Sequence, residues 1–310
     1  SPQQSNVTSY GVTAVAVITL QVFFGVWINS FIISVLCISW VKKKTLNSNE
    51  KILLVLGCSR FLYLCNSWVY SFFLIIYPKY LYVNFIFQLL SVTQTFLDCS
   101  DVCVSACLCA FYCVKIANFR NSIFNYLKSK IDRMVPWLLL GSVLCSLIIG
   151  ILMYYIADKP HCNNSTGQGN LWKVKVKIDE QFFPIYFIIG LVFVTSFMAV
   201  IFSAFLVLFS LWRHKRNLQT NSMKDLSMDA HIRAMKSILS FFIMYNINFI
   251  SLILIMIYST QGESPTMFLI YVFLYAFPGV HSLILIFSNS KLENTLLRIL
   301  PCLKYKLCMR

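Results

Sequence analysis

The stretch FFPIYFIIGLVFVTSFMAVIFSAFLVLFSLW, residues 182–212, contains 31 residues and no charged side chain. An α-helix rises about 1.5 Å per residue, so about 20 apolar residues cross the roughly 30 Å hydrocarbon core of a bilayer. The stretch is long enough to cross, and it has no polar face of the kind that a soluble protein presents to water. It therefore predicts a membrane-spanning helix.

Six further segments of the 310-residue chain have the same character. Hydrophobic residues make up 58% of the chain and charged residues 12%, which excludes a soluble globular protein. We predict an all-α, multi-pass membrane protein with a single domain, built as a seven-transmembrane helix bundle with a short amphipathic tail helix at 289–310. The predicted spans are residues 10–40, 49–76, 81–114, 134–157, 182–212, 234–258 and 266–288.

The charges of the loops predict how the bundle is oriented. A net charge of +15 could indicate a nucleic-acid partner, but the basic residues lie between apolar segments and form no continuous stripe. Of the 26 Lys and Arg, 20 fall in the three loops and the tail on one side of the bundle. Such loops remain cytoplasmic. We therefore expect an external N-terminus, a cytoplasmic tail and a plasma-membrane location, with lipid and not nucleic acid as the neighbour.

One outer loop contains the sequence Asn163-Asn164-Ser165-Thr166, in which both asparagines begin an N-x-S/T sequon. Such tripeptides are frequent by chance. This pair, however, lies on the side that the loop charges independently assign to the outside. We therefore expect a glycan on Asn163 or Asn164.

Arg60 lies in the middle of the second span, where a charge costs about 2.5–3.5 kcal/mol on insertion scales and needs a partner. Counted from the cytoplasmic edge, Arg60 and Asn29 both lie about 16 Å deep. His281 and Ser282 lie about 10 Å deep, within reach of a long guanidinium. Snorkelling to water is the alternative, but Arg60 is too deep for it. The sequence predicts a polar network for structure or switching, comprising Asn29, Arg60, His281 and Ser282.

The third span carries two acids, Asp98 and Asp101, on one helical face in its outer half. Asn248 and Tyr271, on two other spans, reach the same level by the same count. These residues form either hydrogen bonds between helices of a closed bundle or a hydrated pocket. Two acids on one face favour the pocket, because a dry pair of carboxylates would repel. The predicted ligand-binding residues are Gln94, Asp98, Asp101, Asn248, Tyr271 and Trp68.

Asp98 is the predicted anchor for a cationic amine on the ligand, with Gln94, Tyr271 and Asn248 supplying hydrogen bonds and shape. Alternatively, Asp98 is protonated and bonds a neighbouring helix, in which case it serves folding alone. Asp101 lies one turn deeper, and we expect it to share a proton with Asp98 if the two titrate as a pair.

Catalysis and metal binding find no support in the motifs. The sequence contains neither G-x-S-x-G nor H-E-x-x-H, and its four histidines do not cluster. The intramembrane acids are expected to lie well above His281, so no Ser-His-acid triad assembles. A carrier would show paired halves with broken helices, and no internal repeat is visible. We predict a receptor without catalytic residues, metal or cofactor; the alternative is a multi-span carrier or a structural membrane protein.

Short motifs in a fixed order make the chain similar to one known family. They are NSFI at 29–32, LGCSR at 56–60, FYCVKIANF at 111–119, PWLLLGS at 136–142, SLWRH at 210–214 and NSKL at 289–292. Through these motifs the whole chain resembles the type 2 taste receptors, G protein-coupled receptors that detect bitter compounds. Like them, it lacks the DRY and NPxxY motifs of rhodopsin-like receptors.

The resemblance implies a pocket for small amphipathic bitter agonists between spans 2, 3, 6 and 7, and coupling to a heterotrimeric G protein of the gustducin or Gi type. Gln94 and Asp98 stand where many members have Trp and Asn, so the pocket is expected to be more acidic than usual. Arg120 stands where a Ser is common. The G-protein contact is expected at Tyr112, Lys115, Arg120, His214, Lys215, Arg216 and His231.

Overall fold

The computed structural model describes residues 2–76, 84–116, 122–157, 183–218, 239–240, 242–251, 253–254 and 265–308. Within these ranges the chain is helical apart from short turns, and it contains no strand. The predicted all-α class is therefore confirmed. The helices of the described part are α1 (Pro2–Lys43), α2 (Ser48–Ile76), α3 (Asn84–Ile116), α4 (Ser122–Ala157), α5 (Phe183–Leu218), α6 (242–251), α7 (Pro265–Ser288) and α8 (Ser290–Cys308).

Six of these helices contain a segment long and apolar enough to cross a membrane. The helix α6 supplies the described part of the predicted span at 234–258, and the remainder of that span lies outside the described residues. With α6, they make up the seven-helix bundle, and α8 follows it. The six segments are Val15–Lys43, Ser48–Phe73, Gln88–Lys115, Phe124–Tyr155, Phe187–Ser210 and Leu269–Ser288.

Several helices extend beyond the apolar stretch that predicted them. The helix α4 begins at Ser122 and not near Met134, and α5 continues to Leu218, past Trp212. Lys and Arg end the hydrophobic pattern at these points, but both are good helix formers, so the helix continues into water. Hydropathy therefore marks the part of a helix that lies in lipid, and not where the helix ends.

The turn between α1 and α2 is short because both helix ends are capped locally. Lys44 has a φ of 57°, the left-handed conformation that commonly ends helices, and its N–H donates to the Trp40 carbonyl at 2.7 Å. The backbone N–H of Asn47 donates to the Glu50 carboxylate at 3.1 Å. This contact is one half of a capping box and fixes the start of α2.

The first turn of α8 is attached to the bundle. Asn289 caps the helix, since its Oδ1 accepts from the backbone N–H groups of Lys291 and Leu292 at 3.1 and 3.3 Å. The Lys291 ammonium forms an ion pair with Glu50 of α2 and donates to the hydroxyl of Ser39 on α1. Three helices therefore meet at Lys291.

Among the six long apolar helices named above, α3 is the most buried. In α3, 61% of the apolar window is buried, against 28% in α4 and in α5. Val104 and Leu108 of α3 pack with Leu36 of α1 and Leu56 of α2 in one apolar cluster. Since α3 also packs against α4 and α5, its polar side chains are held inside the bundle.

Two glycines bring α1 and α7 close together. A Cβ atom built on Gly279 would lie 3.2 Å from the Cα of Gly25, closer than side chains ordinarily pack. Small residues allow such an approach between membrane helices. Asn29 and Ser282 lie one turn further along the two helices, and the close approach places them side by side.

Candidate functional site

Arg60 of α2 has no exposed surface, although it lies within a candidate membrane span. Its Nε donates to Oδ1 of Asp101 on α3 at 2.6 Å, which makes a buried ion pair. The guanidinium carbon also lies 5.8 Å from the centre of the Phe277 ring, within the range of cation–π contacts. A bare guanidinium inside the bundle would be costly, so these partners make the position possible.

The remaining nitrogens of Arg60 contact three further side chains. Nη1 donates to the Ser282 hydroxyl at 3.1 Å, while Nη2 donates to the Ser105 hydroxyl at 3.3 Å and contacts His281 Nδ1 at 2.5 Å. Because a guanidinium has donors only, Nδ1 must be the acceptor. The Ser282 hydroxyl in turn donates to Oδ1 of Asn29 at 2.8 Å. The Arg60 network is defined here as Asn29, Arg60, Asp101, Ser105, His281 and Ser282.

The sequence interpretation did not place two members of this network, Asp101 and Ser105, beside Arg60. That interpretation assigned Asp101 to the ligand pocket and placed both acids well above His281. Counting 1.5 Å per residue gives the depth of Cα atoms alone, whereas the long Arg60 side chain contacts Asp101 and His281 at once. The structure pairs the Asp101 carboxylate with Arg60, and Asp101 also lines the cavity described next.

A cavity lies beside the Arg60 network. Its empty volume is about 310 Å³, part of it open to solvent. Three of the predicted ligand-binding residues line it, Asp98, Asp101 and Asn248. Lining residues come from α2, α3, α5, α6 and α7, and the contribution of α5 was not expected. The other lining residues are Tyr63, Val102, Phe193, Leu274, Phe277 and Pro278.

Asp98 and Asn248 supply polar groups to the cavity. Asn248 is only 8% exposed, and among the described residues its amide has no hydrogen-bond partner. Asp98 is half-buried, and the side chains of Gln94 and Tyr63 lie beside its carboxylate. No Lys or Arg of the described residues pairs with Asp98. Both side chains therefore have capacity left for a ligand.

Gln94 lies outside the cavity lining, between α2 and α3. Its Oε1 accepts from the Asn66 amide at 2.7 Å, and its Nε2 donates to the Ser67 hydroxyl at 3.0 Å. Gln94 thus joins the two helices and holds the Asp98 carboxylate from one turn above. These contacts suit a residue that positions Asp98.

Tyr271 and Trp68 also lie outside the cavity lining. The Tyr271 ring stacks on Tyr275, with ring centres 6.0 Å apart. Trp68 of α2 donates its indole N–H to the Thr19 hydroxyl of α1 at 3.0 Å and stacks on Phe72. Both residues belong to helices that contribute to the cavity lining, but neither side chain lines the cavity.

Sequence reasoning did not find the aromatic lining of the cavity. Phe193 and Phe277 lie in spans rich in apolar and aromatic residues, where hydropathy cannot separate a pocket face from a lipid face. Tyr63 did carry a signal, because it lies one turn from Arg60 on the same face of α2. A polar aromatic beside an intramembrane charge is a reasonable pocket residue.

The predicted G-protein contact is described only in part. Lys115 Nζ donates to Oδ2 of Asp132 at 2.7 Å and lies 5.7 Å from the centre of the Phe111 ring. Tyr112 packs between two apolar clusters. Residues 214–216 lie in the last turns of α5.

Four predicted residues lie outside the described part of the chain. They are Arg120 and His231 of the predicted G-protein contact, and Asn163 and Asn164 of the predicted glycosylation site.

Comparison with known proteins identifies the family. The family model described as Taste receptor protein (TAS2R) matches residues 7–304, nearly the whole chain. The chain belongs to the type 2 taste receptor family. Taste receptor type 2 member 9 of Homo sapiens is 33% identical over 295 residues, which cover 92% of each chain. Taste receptor type 2 member 2 of Homo sapiens is 31% identical over 301 residues, 94% of this chain and 97% of the relative.

Membership of the family turns several expectations into findings. The resemblance carried by the sequence motifs is confirmed by the match over residues 7–304. As a type 2 taste receptor, the protein is a multi-pass membrane receptor for bitter taste that acts through a G protein, and its family is not one of enzymes. Membership also decides against the carrier and the structural membrane protein.

Proposed function

We propose that this receptor binds small amphipathic bitter compounds in the cavity beside Asp98 and activates a gustducin- or Gi-type G protein at the plasma membrane. The observation that best supports the proposal is the composition of the cavity. It combines the Asp98 carboxylate and the buried Asn248 amide with aromatic and apolar walls. Ligand pockets are mostly apolar, with a few polar groups that orient the ligand. An amphipathic molecule matches that combination.

The charges around the cavity favour a cationic ligand. Asp98 and Asp101 supply two carboxylates, and Arg60 supplies one guanidinium. With both carboxyls ionised, the three groups leave one uncompensated negative charge. Arg60 already pairs with Asp101, so a ligand ammonium would bind at Asp98, where a charge-assisted hydrogen bond replaces the missing partner.

We propose that the G protein contacts the end of the bundle at which α3 ends and α4 begins. Lys115 presents a basic side chain there, and the last turns of α5 carry the basic residues 214–216. The uneven loop charges support this orientation, in which the N-terminus is outside. In this orientation the loop with the two sequons is also outside, and we propose a glycan on Asn163 or Asn164.

The proposal is tested with Asp98→Asn, which keeps the shape of the side chain and removes its charge. Cells with a chimeric gustducin-type α subunit report calcium in response to one amine and one neutral agonist, at matched surface expression. We expect the amine to lose about 10- to 150-fold in potency, equivalent to about 1.5–3 kcal/mol, and the neutral agonist to lose little.

Ser146→Ala is the matched control, because its hydroxyl is buried in α4 and donates to the Ser142 carbonyl of the same helix at 2.8 Å. It should leave both potencies unchanged. Equal losses for the two agonists on Asp98→Asn would contradict the amine anchor and indicate that Asp98 serves folding.

A further inference from the structure

We propose that Asp101 couples the ligand cavity to the Arg60 network: a cationic agonist activates the receptor by competing with Arg60 for the Asp101 carboxylate. This inference rests on the proposed function, because it requires an ammonium bound beside Asp98. It assigns Asp101 two partners, one in each state of the receptor.

Asp101 belongs to both sites at once. It lines the cavity, and its Oδ1 accepts from Arg60 Nε at 2.6 Å. The Asp101 side chain is 12% exposed, whereas that of Arg60 is not exposed at all. A ligand atom in the cavity therefore meets the carboxylate before it meets the guanidinium.

The spacing along α3 places the two carboxylates within reach of one ligand. Asp98 and Asp101 are three residues apart, and side chains at that spacing are neighbours on a helix, with Cβ atoms about 5–6 Å apart. An ammonium set slightly deeper than the Asp98 carboxylate contacts both acids. A neutral agonist cannot replace the guanidinium in this way, because the bond it would replace is charge-assisted.

Arg60 can give up Asp101 without losing its other partners. Nη1 keeps the Ser282 hydroxyl, and Nη2 keeps His281 and Ser105. The contact that remains to α3 is then the longer one, 3.3 Å to Ser105. Loss of the ion pair thus loosens α3 from α1, α2 and α7 while the guanidinium stays hydrogen-bonded.

The direction of the effect follows from differential affinity. A ligand shifts a conformational equilibrium only if it binds one state more tightly than the other. An ammonium gains the Asp101 carboxylate only in the state in which Arg60 has released it. Amines therefore favour that state, and α3 extends from the cavity to Lys115, where we propose that the G protein binds.

The test measures basal signalling and maximal response in Asp101→Asn and Asp101→Glu at matched surface expression. Asp101→Asn should raise basal signalling, with a shift of about 5- to 150-fold in the two-state equilibrium. It should also reduce the maximal response to an amine to that of a neutral agonist. Asp101→Glu keeps a carboxylate for Arg60, so it should restore low basal signalling.

Ser105→Ala is the matched comparison, since it removes a contact between Arg60 and α3 without removing a charge. Its effect should be smaller and equal for both agonists. If the ion pair is purely structural, Asp101→Asn should affect the responses to both agonists alike. Unchanged basal signalling in Asp101→Asn, with a maximal response that is still higher for the amine than for the neutral agonist, would overturn the proposal.

The Asp98→Asn receptor separates this inference from the function on which it rests. Asp98→Asn could selectively lose amine potency while Asp101→Asn changes neither basal signalling nor the maximal response to the amine. That result would overturn the coupling and leave the amine anchor in place. Unchanged amine potency on Asp98→Asn would overturn the anchor itself.

If Asp101→Asn does not reach the cell surface, the proposal is tested on the wild-type receptor. The maximal response is then measured for a homologous series of amine agonists. Amines whose ammonium extends about 5 Å deeper, the spacing between the two acids, should give a higher maximal response than the shorter ones. Equal maximal responses along the series would overturn the proposal.

Discussion

Two ion pairs of nearly equal length occupy different surroundings in this receptor. Arg60 and Asp101 are 2.6 Å apart with side chains 0% and 12% exposed, while Lys115 and Asp132 are 2.7 Å apart with side chains 39% and 55% exposed. Distance alone would rank them as equal. Removing one partner inside the bundle leaves an unpaired charge in a low dielectric, whereas water replaces the lost partner at the surface.

A third pair lies between these extremes. Lys291 and Glu50 have side chains 33% and 10% exposed, and they join α8 to α2. The three ion pairs form a series in which the contact distance varies little while the burial of the side chains varies widely. A pair that contributes less than about 1 kcal/mol cannot hold a conformation, so the exposed Lys115–Asp132 pair is not suited to act as a switch.

The largest effect is expected for Arg60→Ala. It leaves Asp101 buried without a cation, and breaking a buried pair in this way costs about 3–5 kcal/mol. We expect a large fall in the unfolding temperature of the detergent-purified receptor and less receptor at the cell surface. Arg60→Lys is the control, because it keeps the charge but not the planar fork, and it should lose less. An Arg60→Ala receptor as stable as the wild type would contradict the role of burial.

An intermediate effect is expected for Glu50→Gln. The glutamine keeps the size of the side chain but loses the charge that binds Lys291. A hydrogen bond to a charged group contributes about 1.5–3 kcal/mol, so we expect a loss near the lower figure. Amide hydrogen exchange in the first turn of α8 should accelerate. The double variant with Lys291→Met isolates the pairwise contribution, and a coupling energy near zero would remove this pair from the series.

The sequence predicted the elements of this fold better than the contacts between them. Hydropathy located the spans, and depth counting brought Asn29, Arg60 and Ser282 together, because in lipid each polar side chain must find a partner at its own level. It did not find the Arg60–Asp101 pair, because the guanidinium was assigned only to Asn29, His281 and Ser282, and Asp101 was assigned to the ligand pocket. An apolar span also gives no signal for its rotation about its own axis. The polar face of α3 did give such a signal, and Gln94 lies beside Asp98 as its spacing predicts, although its amide also contacts Asn66 and Ser67 of α2.

The smallest effect on stability is expected for Lys115→Ala. An exposed pair typically contributes about 0.2–1 kcal/mol and is screened by salt, so the unfolding temperature should change little, and less at high ionic strength. Asp132→Asn breaks the same pair from the other side and should be equally mild. A loss of more than about 2 kcal/mol in either variant would show that exposure does not decide the strength of this pair.

Because Lys115→Ala should change the stability of the receptor little, its effect on signalling is informative. Because the folded receptor persists, a reduced maximal calcium response at matched surface expression reports on the G-protein contact and not on folding. Asp132→Asn breaks the ion pair but leaves the positive charge of Lys115 in place, so it should preserve the response. If both variants reduced the response equally, the ion pair between α3 and α4, and not the lysine charge, would be what the G protein requires.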